Sequence, residues 1–156
     1  MTFIPFHNAN DIGDRFLALL SKHDIHPPKG SYFENELLSL TDLIEVMKQP
    51  DRASGLREIL LLRAAAGLHD FAAKVLSVEP LPEFTKFLPH LRLISETKIA
   101  PASLSQNTCS PYNDDTARKM VELYMGCLAA HVGTEVDLDS PTAAKGDNPD
   151  VIFNAT

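Results

Sequence analysis

Cysteine is scarce in this 156-residue chain, which has only Cys109 and Cys127. The pair forms no zinc-ligand pattern, and so low a number fits a reducing compartment, so a cytoplasmic location is the expectation. Long hydrophobic runs are missing as well. No apolar stretch approaches the roughly 20 residues that span a bilayer, which leaves no membrane partner to expect. The opening MTFIPFHNANDIGD has no basic head before an apolar segment, so it does not read as a secretory signal. Basic residues are in deficit: 14 Lys and Arg stand against 21 Asp and Glu, a net charge of −7. Phosphate backbones are held by clustered cations, so a general nucleic-acid coat protein is excluded. The seven glycines form no phosphate-cradling loop.

What is present is a packed-core composition, 44% hydrophobic, in a length that suits one domain or one domain and part of another. The first hundred residues read as helices separated by proline-marked turns. Ile12, Phe16, Leu19 and Leu20 share one face of a first helix, with Asn10 or Asp11 available as its cap. Pro27, Pro28 and Gly30 interrupt the chain. A second helix spans about 34–48, with Leu37, Leu40, Ile44 and Met47 at helical spacing. Residues 53–78 are helical again, with a potential break at Gly67. A shorter helix starts near Pro82 and is kinked or divided by Pro89. The helix, break and helix between Leu40 and Arg63 present too few polar side chains for a DNA-reading helix, so packing is their reading.

Between Lys98 and Asn113 the composition turns to Ser, Pro and Asn without periodicity. The expected organisation is therefore a helical domain over 1–98, a linker or long loop over 99–112, and a smaller unit over 113–156. That unit opens with a helix capped by Asn113, Asp114 or Asp115. Ala117, Met120, Val121, Tyr124 and Leu128 are expected on its apolar face, and Gly133 is placed to stop it. Within this helix Glu122 is a charge among apolar neighbours. Burying a lone carboxylate is costly, so Glu122 must be exposed beside Lys119, paired, or bound to a metal. TEVDLD then alternates, with Val136 and Leu138 on one face and Glu135, Asp137 and Asp139 on the other, the pattern of a half-buried strand. A loop and a second apolar strand, Val151-Ile152-Phe153, complete a hairpin. The fold class expected is α+β, mostly α.

A helix carrying one Glu (KMVELYMG), a strand, a loop and then NPDVIF resembles the front of the PD-(D/E)XK nuclease core, the restriction-endonuclease-like fold. The resemblance covers about residues 113–156. It implies Asp150 as a catalytic acid binding Mg²⁺, Glu122 as the helix acid completing the site, and DNA as the substrate of a complete protein. A (D/E)-x-K strand should follow the Asp, yet only Val151 to Thr156 remain. Glu96-Thr97-Lys98 matches the letters but lies upstream. One carboxylate does not normally hold the metal and also orient water, so this chain by itself is expected to be inactive. The alternative is a non-enzymatic helical module that binds a protein partner through its helical part, its acidic hairpin being only surface. His23 and His26 lack a third ligand, Asp137, Asp139 and Asp147 lack the order of a calcium loop, and His69, His90 and His131 read as packing or surface residues.

Overall fold

The computed structural model describes residues 9–48, 56–96, 115–142 and 151–155. Helices α1 (Ala9–Lys22), α2 (Tyr32–Met47) and α3 (Leu56–Val78) come first. A 3-10 turn (Pro82–Phe87), the short α4 (Leu88–Arg92) and a second 3-10 turn (Leu93–Ser95) follow. Helix α5 (Asp115–Val132) then leads directly into the antiparallel hairpin of β1 (Gly133–Leu138) and β2 (Val151–Ala155). The fold is α+β and mostly α, as expected.

Helix α1 buries the residues its spacing assigns: Ile12, Phe16, Leu19 and Leu20 are all within 2% of full burial. Phe16 meets the edges of Phe33 on α2 and Phe71 on α3, with centroids 5.8 and 6.0 Å away. Each such ring contributes about 2–3 kcal/mol by leaving water. The helix starts at Ala9, so Asp11 is not its cap. Asp11 lies in the first turn, where a carboxylate suits the positive end of the helix.

Helix α2 begins about two residues earlier than its hydrophobic stripe suggests. The Ser31 hydroxyl accepts from Glu34 N–H at 3.2 Å, and the Glu34 carboxylate accepts from Gly30 N–H. This is a variant of the reciprocal cap that Ser-x-x-Glu encodes. Gly30 sits at φ +76°, which a side chain would resist.

Helix α3 continues through Gly67 without a break. Burial of Ala65, Leu68, Phe71, Ala72 and Val75 on its inner face outweighs the ~1 kcal/mol helix penalty of one glycine. Pro89 does divide its segment, at the start of α4 and after a 3-10 turn whose Phe84 and Phe87 are buried.

Residues 99–112 lie outside the described residues. The elements on either side meet in one hydrophobic core, which runs from Ile12 on α1 to Val136 on β1. Helix α5 enters that core through Met120, Leu123 and Cys127. Val121 and Leu128, expected on the same face as Met120, are only half-buried, and Met125 is half exposed. Apolar residues surround α5, so hydrophobicity alone does not fix its rotation.

In β1 the alternation holds where it matters, with Val136 buried and Asp137 exposed. The ladder pairs Thr134 with Asn154 and Asp137 with Ile152, so one extra residue lies in β1. This bulge, with Glu135 at φ 55°, rolls Val136 toward the core. β2 is exposed along most of its length. Ile152 and Phe153 are 53% and 40% exposed.

Candidate functional site

Polar contacts brace the seam between α5 and the rest of the molecule. Tyr124 donates its hydroxyl to Asp70 on α3 at 2.5 Å, and Lys74 donates to the other oxygen of Asp70 at 2.8 Å. One α5 turn-pair later, His131 Nε2 lies 2.8 Å from Ser77 Oγ, also on α3. On the opposite flank Glu122 accepts from His90 of α4 at 3.1 Å and from Lys119 at 2.7 Å, both at Oε2. These contacts supply the rotation that α5 lacks in its hydrophobic pattern.

Their electrostatics follow from burial and pairing. Burial alone would raise the Asp70 carboxyl, but the bonds from Lys74 and Tyr124 together hold it below its ordinary value. Burial and the same bond push the Tyr124 phenol up to about 12. His90 is 1% exposed, and burial lowers its imidazole against the opposing pull of Glu122. Its Nδ1 is buried without a partner. His131 is also lowered, by burial and by the nearby Lys74 charge. Burial pushes the Cys127 thiol up to about 12, which leaves it inert as a nucleophile.

Of the two expected site residues, Asp150 lies outside the described residues. Glu122 is paired rather than solvated, with its side chain 13% exposed. One of its oxygens is already shared between an imidazole and an ammonium, which is an arrangement for neutralising a charge rather than for holding Mg²⁺. Among the described residues no group of three or more His, Cys, Asp or Glu side chains is placed to hold a metal. His26 bonds Asp24 at 3.1 Å in an exposed turn, whereas His23 packs its ring on Phe84, 5.3 Å between centroids. No local pattern announces the His90–Glu122 pair, whose members stand 32 positions apart.

A groove of about 640 Å³ lies between α5 and β2. Its α5 wall is Val121, Met125, Leu128, Ala129 and Val132, and its strand wall is Val151 and Phe153. Glu122 and His131 also line it. Three of its apolar side chains, Met125, Val132 and Phe153, are 40–60% exposed. A helix with one apolar face in the core and another in the open is unusual for a surface helix, whose outer face is normally polar.

Comparison with family models, with curated proteins and with solved structures finds no match. Among the described residues no helix is long and apolar enough to cross a membrane.

Proposed function

We propose that the chain is a non-enzymatic, helical protein-interaction module that works through the face shared by α5 and β2. The observation that carries this reading is the second apolar face of α5, continued onto Val151 and Phe153 of a strand with no neighbour on its outer side among the described residues. Exposed apolar side chains beside an open sheet edge favour association, because covering them removes hydrophobic surface from water and pairs the edge. The polar clusters of the seam act as braces: Tyr124, His131 and Glu122 bond Asp70, Ser77 and His90 and so hold α5 in place for this face. A photo-crosslinking residue introduced at Met125 in the full chain, activated in cells, is expected to yield a covalent adduct with a protein. Absence of any adduct, with the helix content intact, would rule the reading out.

A second reading keeps the PD-(D/E)XK resemblance. It is favoured by one observation, that Glu122 and Val151, the residue next to Asp150, line the same groove. On this reading the chain is the front part of a Mg²⁺-dependent nuclease acting on DNA, with Asp150 and Glu122 as metal ligands and catalysis dependent on a strand bearing (D/E)-x-K. Calorimetric titration with Mn²⁺ or Mg²⁺ tests it. Weak binding abolished by Asp150→Ala supports it, and absence of binding removes its basis.

A further inference from the structure

We draw no further inference here: the strongest candidate, the apolar groove between α5 and β2 lined by Val121, Met125, Leu128, Val132 and Phe153, carries nothing beyond the interaction reading already given, because nothing in the structure shows what covers it.

Discussion

At the scale of single residues, Glu122 and His90 illustrate how a charge is kept inside an apolar seam. The carboxylate is stabilised by Lys119 and by an imidazole that is itself almost wholly enclosed. Burial holds the His90 imidazole below its usual 6.5, so the folded protein keeps it neutral where the unfolded chain would take up a proton. Stability is then full above about 6.5 and is lost as the pH falls below that value toward the lowered one. His131 adds to this trend in the same direction. His90→Gln is expected to cost about 1–3 kcal/mol at neutral pH, through the lost bond and the altered packing. It should also flatten the decline in urea midpoint between neutral and mildly acid conditions. A midpoint that falls with pH as steeply in the variant as in the wild type would assign the dependence elsewhere.

At the scale of elements, two glycines set how closely the hairpin can lie against α5. A Cβ at Gly126 would stand 2.6 Å from Leu138 and 3.0 Å from Phe87, both side chains of the core boundary. A Cβ at Gly133 would stand 2.5 Å from the backbone oxygen of Asn154, which cannot move without breaking the ladder. Gly126→Ala should therefore cost about 1–3 kcal/mol by overpacking. Gly133→Ala should loosen β2 specifically, seen as faster amide hydrogen exchange from Val151 to Ala155 with α1–α3 unchanged. Equal protection in the variant would show that the strand accommodates the methyl group. How far these elements were legible depended on contrast between faces. The stripe Ile12, Phe16, Leu19, Leu20 has polar residues opposite it and located the inner face of α1 correctly. Helix α5 has apolar residues on both sides, so grouping Val121 and Leu128 with Met120 put outer and inner residues on one face. The bulge at Glu135 had no local sign, because Thr-Glu-Val carries no glycine to announce a positive φ. Ser31-x-x-Glu34 was readable as a cap but was masked by the stronger apolar stripe that follows it. For the candidate site, the sequence singled out Glu122 as needing an explanation. The partner that supplies one comes from a distant segment, and Asp150 is outside the described residues.

At the scale of the whole molecule, the order in which the parts acquire their arrangement follows from what orients α5. Its rotation depends on Asp70, Ser77 and His90, which are separated by 54, 54 and 32 positions from their respective partners Tyr124, His131 and Glu122. Such distant contacts become available only after α3 and α4 are themselves in place, since closing long loops costs entropy before it returns energy. The helices before Ser95 are therefore expected to form early, and the docking of α5 in its final rotation is expected late, on the native side of the barrier. Tyr124→Phe, which removes the donor to Asp70 and leaves the ring, is expected to cost about 1 kcal/mol and to act almost entirely on the unfolding rate. Stopped-flow chevrons would show a raised unfolding limb over an unmoved refolding limb, whereas a slowed refolding limb would place α5 in the nucleus. The apolar symmetry of α5 thus has a kinetic consequence: the helix can collapse onto α3 in more than one rotation, and the hydroxyl and imidazole hydrogen bonds select among docked states that hydrophobic burial alone leaves close in energy.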